Sequence, residues 1–391
     1  MDFYKRALEL NGETVAHRRY FHQHAETGLE MPLARDYVFQ KLTEYGLEPQ
    51  VCGNGVTATL GRGGRVLLLR ADMDALPMEE LSGLPFACPT GLQAHTCGHD
   101  FHAAMLLTAA KMLKETENLL SGQVKFMFQP AEETFEGSRD MIENGILENP
   151  PVDAALAFHV APGQMPPGLF MYNSSSVMMS SVDGFRIHVT GKGGHGAYPN
   201  LTVDPLQITV QIYLALEALI AREANPEKNC VLTVGKIQGG SAANIIPDTA
   251  ELEGTLRTND KEARALLVRR IREVAEGIAK TYGGSAEVFP LSAVPPLVCD
   301  HDLTEQMAGF MQELESVRLT PYPNMVANAS EDFASIAERV PSAFIYLSAG
   351  FPDERGKYSA HNPKVQFNED VCPIGAAALA HCAVRWLEQQ G

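Results

Sequence analysis

The sequence is poor in the features that mark nucleic-acid-binding, membrane-spanning and secreted proteins. It has no basic block, and 31 lysines and arginines against 48 acidic residues give a formal net charge of −17. No run reaches the roughly 18 apolar residues of a membrane span. The first residues, MDFYKRALEL, lack the apolar core of a signal peptide. We therefore expect a cytoplasmic protein that has neither nucleic-acid nor membrane partners.

The cysteines give no indication of disulfide bonds. The seven cysteines are odd in number, are scattered along the chain and form no CxxC pair. This usage argues against a disulfide framework and against a structural zinc ribbon.

The length of 391 residues, 45% of them hydrophobic, is enough for a large core and favours two domains.

Apolar runs alternate with helical patterns in most of the chain. The runs RVLLLR, QVKFMFQ and AALAFHV are typical of strands buried on both faces, and DFHAAMLLTAAKMLK is helical in its spacing, with Asp100 as the expected N-cap. Residues 182–294 instead read β-α-β-β-α-β, the ferredoxin-like order. The sequence therefore predicts an α/β domain with a mostly parallel sheet, residues 1–181 and 295–391, interrupted by an inserted domain, residues 182–294.

Acidic and imidazole side chains follow the predicted strands of the α/β domain. Any one of them is more often a core or loop residue than a ligand. Because the carboxyl ends of parallel strands meet at one edge of a sheet, their recurrence there favours a shared site. These residues are Asp72 and Asp74, Glu132 and Glu133, His159, and His361.

Cys97 and His99 open a predicted helix at the same edge. They are two residues apart, so in an extended loop both side chains point the same way and can share an ion. A thiolate, imidazoles and a carboxylate suit zinc or another first-row divalent ion. The competing interpretation is a nucleophilic Cys97 with His99 as its base, which does not require converging carboxylates.

The adjacent glutamates predict a division of labour. Neighbours on an irregular turn point in different directions, so one of Glu132 and Glu133 would ligate and the other would act as a general base. The general base would take its proton from a metal-bound water, whose pKa the ion lowers from roughly 15.7 to about 7.

The other histidines are expected to serve the core or the surface. We expect His95 and His102 to lie behind the ligands or in the core. Six more have no comparable surroundings in the sequence: His17, His22, His24, His188, His301 and His381.

A series of motifs carries a resemblance to a known family. The motifs are RADMDALP, HTCGHDFHAAML, FQPAEE, AFHV, GKGGHGAYP, GGSAANIIPDTAELEGTLR, SEDFA and SAHNP. In order and spacing they resemble the amidohydrolase branch of the aminoacylase and carboxypeptidase family of dinuclear metallopeptidases. That branch holds N-acyl-amino-acid amidohydrolases, hippurate hydrolases and auxin-conjugate hydrolases. The resemblance covers nearly the whole chain, and CGHD together with PAEE is specific to the branch.

The resemblance implies a pair of divalent metal ions per subunit, with Glu132 as the base that activates water. Manganese and zinc are the first candidates, and nickel and cobalt are further ones. The ligands that it implies are Cys97, His99, Glu133, His159 and His361.

The resemblance also gives the inserted domain a role as a lid and dimerisation surface, so it implies a homodimer or homotetramer. His195 would polarise the scissile carbonyl, Asn244 would support it and Arg257 would hold the substrate carboxylate. In related dimers His195 and Asn244 enter the partner's site. From the residues alone, GKGGHGAYP is a glycine-rich turn, and an arginine such as Arg257 more often forms a surface salt bridge.

Two positions depart from the family pattern. The sequence FHQHAETG has Ala25 where the family usually has proline. The HxD histidine ligand of the family's other branches is absent, and Asp72 and Asp74 occupy that region. Neither departure changes the five implied ligands or Glu132.

The activity that the resemblance implies is metal-dependent hydrolysis of a small N-acyl or N-aroyl amino acid to a carboxylic acid and a free amino acid. A dipeptidase or aminopeptidase of the same clan is the alternative within this chemistry. A non-catalytic relative that binds ligands or partners is the alternative from another class, and the intact Glu132 and ligand set argue against it.

Overall fold

A computed structural model describes residues 1–175, 177–322 and 326–390. Its contacts divide the chain into two compact units. The larger unit comprises residues 1–178, 298–325 and 332–391, and the inserted unit comprises residues 179–297 and 326–331. Within the described ranges, the search for a helix long and apolar enough to cross a membrane finds none.

The secondary structure follows the alternation seen in the sequence. The helices are α1 (Phe3–Glu9), α2 (Asn11–Gln23), α3 (Pro32–Glu44), α4 (His99–Glu115), α5 (Gly137–Glu143), α6 (Pro205–Glu223), α7 (Lys261–Thr281), α8 (His301–Gln312), α9 (Ala334–Ala337) and α10 (Cys372–Gln390). The strands are β1 (Gln50–Cys52), β2 (Gly55–Gly61), β3 (Val66–Asp72), β4 (Gln123–Gln129), β5 (Ala154–Ala161), β6 (Leu169–Tyr172), β7 (Val177–Met179), β8 (Val182–Thr190), β9 (Gly194–His195), β10 (Cys230–Gly239), β11 (Ile245–Ile246), β12 (Thr249–Thr258), β13 (Ser285–Val294), β14 (Leu297–Val298), β15 (Arg318–Pro321) and β16 (Ser342–Ser348).

The larger unit is built on an eight-stranded sheet with the order β1-β2-β4-β3-β5-β16-β6-β15. Its central strands β4, β3, β5 and β16 run parallel, and β3 and β4 are in register so that Asp72 pairs with Gln129. All seven residues of β3 are buried, as expected for a strand covered on both faces. The predicted α/β class with a mostly parallel sheet is confirmed.

The start of α4 differs from the prediction. The helix begins at His99, and Gly98 at the N-cap adopts φ +96°. A Cβ atom at Gly98 would lie 2.3 Å from Val160 Cγ2, so only glycine fits this turn. The assignment of Asp100 as N-cap was therefore wrong: its carboxylate Oδ2 lies 2.8 Å from Arg18 Nε and 2.7 Å from His22 Nδ1.

The inserted unit has the predicted β-α-β-β-α-β order, in a four-stranded antiparallel sheet arranged β10-β12-β8-β13. Asp204 caps α6 by accepting from the backbone of Leu206, and Pro205 occupies the first helical turn. Asp260 caps α7 in the same way. One face of α7 repeats every four residues and is buried: Ala263, Leu267, Ile271, Ala275 and Ala279.

Candidate metal centre

The predicted metal ligands meet at the carboxyl edge of the parallel strands in the larger unit. The candidate ligand atoms of Cys97, His99 and His159 lie within 4.8 Å of one another. Those of Cys97, Glu133 and His361 form a second group within the same limit. All five side chains are thus brought together, and Cys97 is common to both groups.

His159 lies near the end of strand β5, and a contact with the backbone fixes the orientation of its ring. Nδ1 lies 2.8 Å from the carbonyl oxygen of Val160, which can only accept, so Nδ1 carries the proton. Nε2 therefore presents its lone pair, 3.5 Å from Cys97 Sγ. Burial holds the pKa of His159 well below its usual value, so the ring is neutral, as a metal ligand must be.

His99 is oriented by a carboxylate in the manner of many metal-binding histidines. Its Nδ1 lies 3.1 Å from Asp74 Oδ1, and the other oxygen of Asp74 accepts from the backbone N–H of Glu133 at 2.9 Å. One aspartate therefore fixes two neighbouring ligand segments. Burial opposes the charged imidazole, but Asp72, Cys97 and the hydrogen bond to Asp74 together outweigh it and raise the pKa of His99.

Glu133 and His361 form the outer side of the cluster. His361 Nε2 lies 3.3 Å from Glu133 Oε1, and the backbone N–H of His361 donates to the carbonyl of Thr96 at 2.9 Å. Burial alone would raise the pKa of Glu133, but the imidazoles of His361 and His99 leave it lowered. Half of the His361 side chain is exposed, so the cluster opens to solvent on this side.

Left-handed backbone surrounds these two segments. His361 has φ +65°, and Ala131 and Phe135, on either side of the glutamate pair, have φ +53° and +59°. Non-glycine residues rarely adopt this region, and it is maintained where the surrounding structure requires it. The strained backbone thus aims Glu132, Glu133 and His361 toward one point.

Glu132 lies beside the ligands and points its carboxylate toward them. Its Oε2 is 3.9 Å from His99 Nε2, and the backbone N–H of Asp332 donates to its Oε1 at 3.4 Å. The side chain is buried except for a small fraction of its surface. A carboxylate in this position can exchange a proton with a molecule held at the cluster.

The unpaired atoms of the cluster fit a metal site. His99 Nε2 and Glu133 Oε1 are buried and have no partner in hydrogen-bond geometry among the described residues, although Glu133 Oε1 lies 3.3 Å from His361 Nε2. Buried polar atoms are ordinarily paired, so two orphans within one group of soft and hard donors require an explanation. A divalent ion that accepts nitrogen, sulfur and oxygen ligands satisfies both.

The inserted unit carries the other predicted site residues. His195 in β9 pairs with Ile245 in β11, and the N–H of Gly196 donates to the carbonyl of Asn244 at 2.9 Å, so His195 and Asn244 are neighbours. His195 is exposed, and its Nδ1 accepts from Ala197 N–H at 3.1 Å, which leaves the proton on Nε2. Arg257 lies apart from them in β12, where it donates to Ser330 Oγ at 2.9 Å.

Comparison with known proteins decides the family. The model of Peptidase family M20/M25/M40 matches residues 68–385. The chain belongs to this family. It is therefore a hydrolase of the metallopeptidase class, as the motifs indicated, and it fits the amidohydrolase branch.

Relatives of this M20 protein match over nearly their whole length. An N-acetyl-L-cysteine deacetylase of Bacillus subtilis (strain 168) is 35% identical over 387 residues, which cover 97% of this chain and 89% of the relative. A hippurate hydrolase of Campylobacter jejuni is 31% identical over 394 residues, 99% of this chain and 100% of the relative. A crystal structure of a Bacillus subtilis protein described as a dinuclear metal binding peptidase from the M20 family has a TM-score of 0.81 and 31% identity, covering 97% of this chain and 99% of that one.

Sequence reasoning missed a second buried cluster in the M20 chain. His22 was expected to be an ordinary core or surface histidine; it is buried, but ionisable side chains that were not anticipated surround it. Its Nε2 lies 3.0 Å from Glu80 Oε1, and its Nδ1 contacts Asp100, which also pairs with buried Arg18. Burial would lower the pKa of His22, but these carboxylates raise it. Arg18 and His22 share one helix face, but that spacing does not indicate their acidic partners, because Glu80 and Asp100 are 58 and 78 residues from His22.

Replacing the aspartate that orients His99 tests the metal centre. In Asp74→Asn an amide faces His99 Nδ1, so the ring loses its charged acceptor. We expect the affinity for Zn²⁺ or Mn²⁺ to fall about 10- to 100-fold, the usual effect of removing such a partner. Competition with a chromophoric chelator measures it. Asp140→Asn is the matched control, because Asp140 accepts from a backbone N–H, that of Asn54 at 2.6 Å, at a site without ligands; equal affinities in the two variants would contradict the assignment.

Proposed function

We propose that this M20 hydrolase cleaves the amide bond of N-acyl or N-aroyl amino acids, using two divalent ions held by Cys97, His99, Glu133, His159 and His361. The products are a carboxylic acid and a free amino acid. The observation that carries the proposal is the convergence of these five side chains beside the carboxylate of Glu132, with two buried ligand atoms that have no partner in hydrogen-bond geometry among the described residues. Relatives named for N-acetylcysteine and for hippurate, which is N-benzoylglycine, support both acyl classes.

Glu132 carries the proton in this reaction. When bound, the ions would supply Lewis-acid chemistry, which acidifies water and polarises the substrate carbonyl. Glu132 accepts the proton of the attacking water and then donates it to the departing amine nitrogen, so the base is restored at the end of each turnover. In this proposal Glu133, whose Oε1 faces His361, is the ligand of the pair, and Glu132 exchanges the proton.

The inserted unit supplies the substrate contacts in this proposal. His195, with its proton on Nε2, donates to the oxygen that becomes negative during attack, and Asn244 supports it from the turn before β11. Arg257 pairs with the α-carboxylate of the amino acid. The exposure of His195 suits a residue that acts on a substrate, in its own subunit or in a partner's.

A nucleophilic Cys97 is the weaker explanation of the same cluster. Burial raises the pKa of Cys97 to about 12, so a lone thiol here would be protonated and unreactive. A metal ion reverses this, because a coordinating thiol loses its proton. A cysteine nucleophile would also leave the positions of Glu133 and His361 beside Cys97 unexplained.

A substrate panel tests the activity directly. The protein is stripped with a chelator, reloaded separately with Mn²⁺, Zn²⁺, Ni²⁺ or Co²⁺, and assayed for release of free amino acid. The panel contains N-acetyl, N-benzoyl and longer N-acyl amino acids together with dipeptides. We expect metal-dependent cleavage of the acylated substrates in preference to the dipeptides. A requirement for a free α-amino group would instead establish a dipeptidase or aminopeptidase, and two bound metals without any cleavage would favour a binding role.

Removing the base separates catalysis from metal binding. Glu132→Gln keeps the shape of the side chain but cannot accept a proton, so we expect a full complement of metal and a kcat lowered by about 10² to 10⁴, roughly 3 to 5 kcal/mol of transition-state stabilisation. Metal content by mass spectrometry and steady-state kinetics measure the two effects. Turnover close to that of the unaltered protein would exclude Glu132 as the base.

We further propose that the inserted unit forms a homodimer. Val210 and Leu214 are exposed one turn apart on α6, and β10 is an edge strand that exposes Val231 and Ile237. Exposed edges with apolar neighbours favour pairing with a second copy.

Sedimentation equilibrium tests this surface. We expect Leu214→Arg to lower the mass to that of the monomer, because a charge would be buried in the contact. Val268→Arg on α7, a comparably exposed apolar position of the same unit, is the control and should keep the dimer mass. A monomeric unaltered protein would disprove the dimer.

A further inference from the structure

A buried arginine lies behind the metal centre and has no part in the proposed reaction. The side chain of Arg70, at the carboxyl half of β3, is fully buried. Its Nη1 donates to Asp72 Oδ2 at 2.6 Å, its Nε to Gln129 Oε1 at 2.9 Å and its Nη2 to Asp332 Oδ1 at 3.1 Å. A buried cation is costly unless such partners compensate it, so the arrangement calls for a functional reason.

One branch of contacts runs from Arg70 to the general base. The carboxylate of Asp332 accepts from Gln129 Nε2 at 2.7 Å and from the backbone and hydroxyl of Ser138 at 2.9 and 3.1 Å. Its own backbone N–H donates to Glu132 Oε1. The position of this donor, and therefore the direction of the Glu132 carboxylate, depends on how firmly the Asp332 side chain is held.

The other branch runs from Arg70 to a ligand strand. The second oxygen of Asp72 contacts His102 Nδ1, and His102 Nε2 accepts from the backbone N–H of Val160 at 2.8 Å. Because a backbone N–H can only donate, the proton of this ring lies on Nδ1, toward Asp72. Val160 follows the ligand His159, so the imidazole of His102 ties the end of β5 to β3.

We propose that Arg70 is a positioning residue that aligns the general base with the metal ligands. Through Asp332 it holds the donor to Glu132, and through Asp72 and His102 it holds the strand end that carries His159. The inference rests on the proposed function for the role of Glu132, but the His102 branch concerns metal binding alone. If the network were purely structural, breaking either branch would lower the stability of the protein, but one branch would not act on kcat and the other on metal affinity.

The Asp332 branch is tested by kcat. Asp332→Asn keeps the side-chain volume but loses the charge that pairs with Arg70, so Glu132 is held less firmly. We expect kcat to fall about 10- to 100-fold, because small misplacement of a catalytic group has effects of that size. KM and the metal dissociation constant should stay within about twofold, since neither substrate nor metal contacts Asp332 in this scheme. Ser138→Ala, which removes one hydroxyl and keeps both charges, should lower kcat in the same direction by a smaller factor and serves where Asp332→Asn does not fold.

The His102 branch is tested by metal affinity without any assay of activity. His102→Asn keeps a donor toward Asp72 but is too short to reach the N–H of Val160. His102→Gln extends far enough to place its carbonyl oxygen there. We expect the dissociation constant of Zn²⁺ to rise about tenfold or more in the asparagine variant and to be largely restored in the glutamine variant. Equal affinities in the two variants would overturn this branch.

Asp153→Asn is the matched control for both branches. Asp153 also accepts from a backbone N–H, that of Val66 at 2.8 Å, and contacts Arg65, but at the opposite end of β3. It should leave kcat and metal affinity unchanged. If the unaltered protein is active and Asp332→Asn folds with the same kcat, the positioning role is refuted and the proposed function is not. A parent protein that cleaves no acylated amino acid would refute the proposed function, while the His102 variants would still report on metal binding.

Discussion

The parallel order of β4, β3, β5 and β16 is the constraint on which the site depends. Parallel strands end at the same edge, so residues far apart in sequence are delivered to one point. Among the five proposed ligands, only Cys97 and His99 are close enough in sequence to form a local chelating pair. The remaining ligands come from the segments that follow β4 and β16 and from the end of β5. The candidate centre can therefore form only with the sheet, and we expect metal binding and folding of the larger unit to be coupled.

This construction has a cost in stability that the rest of the unit offsets. Ala131, Phe135 and His361 adopt left-handed backbone, a conformation that costs about 1–3 kcal/mol for each residue. Several charged groups are also fully buried behind the ligands, among them Arg70, Asp72 and Asp100. The apolar side chains of β3, β4 and α4, most of which are inaccessible to water, provide the compensating stabilisation. Strain is tolerated at the edge of the sheet because its centre is rigid.

Local pattern explains which parts of the structure could be predicted. The apolar runs of β4 and of the inserted unit gave strand limits close to those observed, because burial on one or both faces is written into consecutive residues. The short strands β1, β6 and β15 were missed, since they offer too few residues for a period. The ionisable partners of His22 were missed for a different reason. Its partner Asp100 is 78 residues away, and no local spacing reveals a contact of that range.

The contacts of Asp72 explain how this chain can lack the histidine of the HxD motif and still have its set of proposed ligands. The position near which other branches have a histidine ligand holds an aspartate whose two oxygens are already engaged, by Arg70 and by His102. Arg70 and the neighbouring imidazoles hold the pKa of Asp72 well below its usual value despite burial, so it remains a charged hydrogen-bond acceptor. An acceptor so fully committed is poorly suited to ligation, and the softer donors Cys97 and His99 lie at the edge instead. In the proposed site, this position therefore holds the residues that surround the ion and not the ion itself.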